Sequence, residues 1–279
     1  MSMKLSVSMR VAEDMFDKRQ AAMSMEDMAR LAKENGFHAV CMRASQVGTQ
    51  TPLEVVREKS VFLKSLDLAV SMATGDFPIP ENNGHGPDAL RNITPYLDLA
   101  EALDCDLLRI CMKTDEDVEW AQRASDEAAE RNIRLAHQSH HNSLFEQAER
   151  SVEVVKQVNR PNFGIIYEPA NLQTCGEDYG PETIKMFEPY LFNVYLQNQI
   201  VRPGGDTKVD TWSRGPVEFD QIPIWDDRGI DFPLIMNALD EIGYEGYVTV
   251  HQASAGIGGP AMAITESGRY LRSIGDFSE

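Results

Sequence analysis

The chain has 279 residues with 26 basic and 44 acidic side chains, a net charge of −18, so its average surface repels phosphate backbones and anionic lipids and nucleic acid is not an expected partner. With 42% apolar residues it can fill two small cores or one α/β barrel, which typically takes roughly 250 residues. Cys41, Cys105, Cys111 and Cys175 show no CxxC pairing and read as buried thiols in a reducing compartment. No apolar run approaches the ~20 residues of a membrane span, so a soluble, cytoplasmic protein with no membrane partner is expected.

In chain order, residues 1–10 alternate like a strand, with Leu5, Val7 and Met9 apolar between serines. Ser24 with Asp27 caps a helix whose Met25, Met28, Ala29 and Ala32 form one stripe, and Gly36 stops it. Residues 38–43 make a second strand, followed by a helix starting at Thr51, Pro52 and Glu54. The third strand, 68–72, leads into a Pro- and Gly-bearing loop, 74–86, long enough to cover a pocket mouth. One helix is expected from Pro87 to near Asp104, a fourth strand over 106–112, and a helix capped by Thr114 and Asp117 that runs through Arg131.

The fifth strand, 133–138, runs into His137, Gln138, His140 and His141, after which Ser143 and Glu146 form a capping box that predicts a helix start. Residues 162–167 are a sixth strand ending in Glu168-Pro169-Ala170-Asn171, and Pro181 opens another helix. Strand seven, 193–197, precedes a polar loop, 200–228, far longer than an ordinary strand-to-helix connection. Asp231 and Pro233 start a helix closed by Gly243, 247–250 is strand eight, and the last helix begins at Pro260. Strands alternating with helices in this way predict a single (β/α)8 TIM barrel of one domain over 1–279, because parallel strands need crossover helices outside.

In such a barrel the carboxyl ends of the strands converge on one axis. They bring Gln138 and His140, Glu168 and Asn171, Tyr195 and Gln197, and His251 together, with Arg43 and Arg109 near the ends of strands two and four. Glu168 is the only carboxylate among them, a minimal start for general acid and base work or for holding a divalent cation. Cys175 and Ser139 lack any nucleophile-elbow motif.

The series HQSHHNS, YEPANL, VYLQNQ and VTVHQAS, with the closing EIGYEGYVTV, resembles the xylose isomerase-like barrel superfamily of sugar isomerases and epimerases over almost the whole chain. The resemblance implies one divalent metal, Mn, Mg or Zn, held by two Glu, an Asp and a His, the two Glu also moving the substrate proton. Carried onto this chain those positions fall on Gln138, Glu168, Tyr195 and His251, and the usual HLKD of strand seven reads Tyr195-Leu196-Gln197-Asn198. One carboxylate remains, and an amide cannot serve as a base near neutral pH. A reduced metal set of Glu168, His251, Gln138 and Gln197 stays open; no nucleotide cofactor is expected.

The resulting expectation is an isomerase, epimerase or lyase acting on a small keto sugar, polyol or keto-glycoside by metal-assisted enolisation, with His251, Glu168 and His140 catalytic. Gln138, Asn171, Tyr195, Arg43, Arg109, Trp212 and Arg214 would bind substrate, the last two, with Lys208, riding on the long loop as it excludes water. The alternative is a catalytically inactive carbohydrate-binding or regulatory barrel subunit; an apurinic-site endonuclease is disfavoured by the acidic charge. A homo-oligomer is allowed. His137 is out of phase with Gln138 and should pack between strand and helix, His141 should be solvated, and His38 and His85 should be ordinary strand-start and loop residues.

Overall fold

The computed structural model describes every residue except Met1, Met15, Phe16, Ala255 and Glu279, so the head of the expected opening segment lies outside the described residues. Eight parallel strands close into one barrel: β1 (Lys4–Ser8), β2 (Ala39–Arg43), β3 (Ala69–Thr74), β4 (Leu107–Ile110), β5 (Arg134–Gln138), β6 (Phe163–Tyr167), β7 (Leu191–Leu196) and β11 (Tyr247–Val250). Closure joins β1 to both β2 and β11, with Val7 beside Val40 and Val250. Three further strands, β8 (Gln199–Val201), β9 (Thr207–Thr211) and β10 (Gly215–Gln221), form a separate antiparallel sheet in the order β8-β10-β9. Around the barrel run α1 (Met25–Glu34), α2 (Leu53–Ser65), α3 (Pro78–Glu81), α4 (Asp88–Arg91), α5 (Thr94–Leu103), α6 (Asp117–Glu130), α7 (Ala148–Val158), α8 (Pro169–Cys175), α9 (Pro181–Phe187), α10 (Phe232–Glu241) and α11 (Gly259–Ile274).

Two hydrophobic layers follow from the strand period of two. Outward residues such as Val7, Val40, Leu135, Ile165, Val194 and Val248 join the helix stripes in one large cluster, where the expected stripe of α1 is also buried. Inward residues Cys41, Met72, Leu107, Ala136, Ile166 and Tyr195 pack against one another inside the barrel. Below them Ser6 hydrogen-bonds Ser71 at 2.7 Å and Thr249 donates to Asn193 at 3.1 Å, so the polar floor is satisfied.

Three departures from the expected elements have local causes. The helix expected from Pro87 to Asp104 is broken at Asn92 and Ile93 into α4 and α5, because the Pro95 ring in a continuous helix would meet the Arg91 carbonyl. Ser143 and Glu146 close a turn: Ser143 Oγ accepts from Phe145 N–H and Glu146 from Asn142 N–H, while α7 starts at Ala148. Glu146 also accepts from the N–H groups of Trp212 and Ser213, so its carboxylate belongs to a long-range contact. Residues 200–228, expected as a polar loop, contain most of the antiparallel sheet.

Candidate active site

Moving two residues beyond each inward side chain reaches the mouth of the barrel. Cys41 gives Arg43, Met72 gives Thr74, Leu107 gives Arg109, Ala136 gives Gln138, Ile166 gives Glu168, Tyr195 gives Gln197 and Thr249 gives His251. Ser8, paired in register with Cys41, likewise places Arg10 at this level. A cavity of about 180 Å³ sits on the ring, with Gln138, Asn171, Gln197 and His251 in its wall and Thr207, Val209, Phe219 and Gln221 of the antiparallel sheet as a roof. Pro80, in the loop expected to cover a mouth, reaches it too.

Glu168 is fully buried and surrounded by amides: Gln138, Gln197 and Asn171 each donate an N–H to its carboxylate, Asn171 at 2.9 Å. Burial dominates and pushes its pKa up to about 8, although the Gln197 hydrogen bond and the positive charges of Arg109, Lys18 and Arg43 pull the other way. At neutral pH the group is therefore mainly a neutral acid.

The charged residues in the cavity wall are all basic: Arg10, Lys18, Arg43 and Arg109. Arg43 is held by buried Glu13, Nε to Oε1 at 2.7 Å and Nη2 to Oε2 at 2.9 Å, and Ser45 also donates to Glu13 at 2.8 Å. Burial raises the Glu13 pKa, but the charge and hydrogen bonds of Arg43, the charge of Arg10 and the Ser45 hydrogen bond together outweigh it and leave the carboxyl below its ordinary value. Lys18 is lowered to about 7, first by burial and then by Arg43 and Arg10. Arg109 is 5% exposed, its Nε is buried without a partner, and its guanidinium makes no hydrogen bond or ion pair among the described residues.

Burial, reinforced by these cations, keeps the imidazoles neutral. His251 and His140 both lie well below 6.5, chiefly through burial, with Arg43 and Arg109 adding to the effect on His251, and His141 and Arg109 on His140. His140 Nδ1 is 2.9 Å from the His141 carbonyl, which can only accept, so Nδ1 carries the proton and the Nε2 lone pair is left bare. His251 lies flat on Tyr195, ring centroids 3.7 Å apart, and its Nδ1 has no partner.

Of the expected site residues, Gln138, Glu168, Asn171, Gln197, His140, His251, Arg43 and Arg109 meet in this mouth, and three do not. Tyr195 is one layer down, beneath His251, with its hydroxyl 3.0 Å from Cys41 Sγ; Gln197 takes the mouth position because it is the next residue in phase. Trp212 is 56% exposed on the outside of the turn between β9 and β10. Arg214 packs on Gly176 and donates to the Thr174 carbonyl at 3.3 Å, and Lys208 points outward near Glu218. The hairpin turns these three away because it places Thr207 and Val209, not its tip, over the cavity.

His141, expected to be solvated, is half-buried in the cavity wall and lowered to about 4, first by burial. His137 packs as expected, stacked on Phe145 at 4.1 Å. His38 bridges Leu5 N–H and the Ser278 carbonyl, and exposed His85 faces Asp88 at 3.0 Å. Arg10 could have been found by applying the strand-end rule to the first strand; nothing local marks Lys18. Asn198 faces away from the mouth and ties down the following segment through Pro223 O, Asp226 O and Ile230 N–H. A larger hollow, about 640 Å³, opens at the other end of the barrel, but Lys33 and Lys64 there are matched by Asp67 and Asp104.

The family model described as xylose isomerase-like TIM barrel matches residues 8–274. The chain belongs to that family. No curated protein matches this xylose isomerase-like barrel in sequence. Among solved structures it is similar to the probable 3-DHS dehydratase AsbF of Bacillus anthracis, with 15% identity, TM-score 0.73, and 97% of this chain and 99% of that one covered. It is similar to the IOLI protein with a bound zinc atom, at 15% identity and TM-score 0.71 over 98% of each chain. The 3-keto-D-glucoside 4-epimerase YcjR of E. coli gives 14% identity and TM-score 0.64 over 97% of this chain and 99% of that one. At these identities the likeness concerns the fold.

Metal-bearing structures occur among these neighbours, one with zinc and one with magnesium, so the fit of this mouth to a divalent cation is a real question. Both Glu168 oxygens already accept amide N–H groups, with Gln138 and Gln197 offering hydrogens in place of oxygens. Among the described residues no three His, Cys, Asp or Glu side chains converge on a point. The wall carries four basic side chains, so an added divalent ion would meet repulsion with Glu168 as the one neighbouring carboxyl to offset it. The residues expected to hold a metal, Glu168, His251, Gln138 and Gln197, do not fit one.

Proposed function

We propose that the chain is an enzyme of the isomerase, epimerase or lyase type that enolises a small keto sugar or keto-glycoside with its own side chains as acid and base. The observation that carries this reading is a buried carboxyl group with its pKa near 8, held directly behind the wall amides Gln138, Gln197 and Asn171 of a small cavity whose wall also carries a neutral imidazole with a bare Nε2. His140 takes the proton from the carbon next to the substrate carbonyl, and the C–H electron pair moves into a carbon–carbon double bond. The carbonyl oxygen gains the negative charge, which Glu168 quenches by giving up its proton and the neighbouring guanidinium groups stabilise. Return of a proton to the other face or the adjacent carbon gives epimer or isomer; where a β-hydroxyl leaves, it takes the proton from His140 and departs as water, while the enol oxygen returns its proton to Glu168 and the carbonyl re-forms. Gln138, Gln197 and Asn171 hydrogen-bond substrate hydroxyls as they move off Glu168.

One observation favours the second reading, a binding or regulatory barrel: Glu168 is 0% exposed beneath its three amides. The deciding experiment is solvent deuterium incorporation into a panel of keto sugars, keto-glycosides and their acidic derivatives. Wild type should label the α-carbon and His140→Ala should lose at least about a hundredfold of the rate. Tight binding of a panel member with no label incorporated would establish the binding reading.

A further inference from the structure

We propose that the molecule this mouth receives is an anion, a small compound whose carboxylate or phosphate rests against Arg109 and the free Nη1 of Arg43. The proposal deepens the enolisation reading by naming the substrate class, yet the anion site can be tested without any turnover. Arg109 is buried in the wall of the cavity and its guanidinium makes no hydrogen bond or ion pair among the described residues. A guanidinium cannot shed its charge near neutral pH, so one without a protein partner is balanced from the cavity it borders, and an anion there does so better than water because it brings the opposite charge.

Arg43 Nη1 is likewise buried and without a partner, its other two nitrogens being taken by Glu13. Glu13 stands behind the ring and pairs with both Arg43 and Arg10, so the positive charge left facing the cavity is chiefly that of Arg109 with partly charged Lys18, and no carboxylate is among the lining residues. Such a basic concavity on a chain of net charge −18 concentrates anions where the average surface repels them. Planar guanidinium forks match the paired oxygens of a carboxylate or a phosphate. The volume, about 180 Å³ under a roof of Val209 and Phe219, admits a compact molecule and excludes a polymer.

Isothermal titration of the full chain with inorganic phosphate, with glycerate and with neutral glycerol tests this. The expected result is that phosphate or glycerate binds, more weakly as NaCl is raised, while glycerol does not; the tighter of the two anions identifies the source of the charge. Arg109→Met should weaken that binding by about a hundredfold and Arg109→Lys by about tenfold, because lysine keeps the charge and loses the fork. Lys156→Ala on the exposed face of α7 should bind like wild type. Free Arg109→Met should melt no lower than wild type, since it loses an uncompensated buried charge; if it fails to fold, Arg109→Lys and the salt series carry the result. Binding of glycerol as tight as that of the anions, or unchanged anion affinity in the Arg109 variants, overturns the proposal. Anion binding without deuterium exchange in any substrate would sink the enolisation reading alone, and exchange in neutral keto sugars without anion binding would sink this one alone.

Discussion

Glu168 shows how one buried group ties chemistry to stability. Its pKa rises from 4.5 to about 8 because burial penalises the charged form more than three amide donors and the nearby cations favour it. Between these two values the folded chain keeps a proton that the unfolded chain has released, so stability contributed by this group falls as pH rises through the window. Glu168→Gln, which cannot ionise, should therefore gain stability relative to wild type as pH goes from 4.5 to 8, read as a growing difference in denaturant midpoint. The same variant should abolish deuterium exchange, and wild-type exchange should decline above pH 8 as the acid loses its proton. With His140 held well below 6.5, the rate should not drop near pH 6, as an ordinary histidine base would require. A constant stability difference across that range would show that Glu168 is ionised throughout.

At the scale of elements, the antiparallel sheet over the mouth depends on one carboxylate outside it. Glu146 accepts from Trp212 N–H at 3.0 Å, Ser213 N–H at 2.6 Å and Asn142 N–H at 2.7 Å, and Asn142 in turn donates to the Asp210 carbonyl. It thereby couples the turn between β9 and β10 to the segment that carries His140 and His141. A hydrogen bond to a charged group contributes about 1.5–3 kcal/mol, and bonds that share one carboxylate do not add. Glu146→Ala should lose about that much in total and become sensitive to proteolysis at residues 208–214, with KM raised more than kcat is lowered. Unchanged proteolysis would mean that the Ser213 bond to the Cys175 carbonyl and the sheet pairing hold the turn without it.

Across the whole molecule, the family's barrel carries a mouth whose charged wall residues are basic. A metal centre gathers carboxylates; this mouth gathers Arg10, Lys18, Arg43 and Arg109 around one mainly protonated carboxyl. Purified protein should therefore contain less than about a tenth of an equivalent of Mn, Mg or Zn per chain by elemental analysis, and EDTA should leave its melting temperature and exchange rate unchanged. Close to one metal per chain, lost in Glu168→Ala, would restore the metal reading.

The sequence alone determined the barrel, because alternating strands, capped helices and short connections leave a closed parallel sheet as the way to bury so many apolar stripes. It also determined most of the ring: Gln138, Glu168, Gln197, His251, Arg43 and Arg109 share a phase set by the two-residue period. What it left open depends on neighbours distant in the chain. Tyr195 and Gln197 share a phase, and which of them reaches the mouth was decided only by His251 stacking on the tyrosine; Glu146 read as a helix cap until Trp212 and Ser213 came within reach. Trp212 and Arg214 looked like cavity residues until the hairpin fixed which end of it covers the mouth. Above all, whether four scattered basic residues neutralise acids or face an empty space is a matter of pairing across the fold, and only tertiary contacts decide that Arg43 has Glu13 while Arg109 has nothing among the described residues.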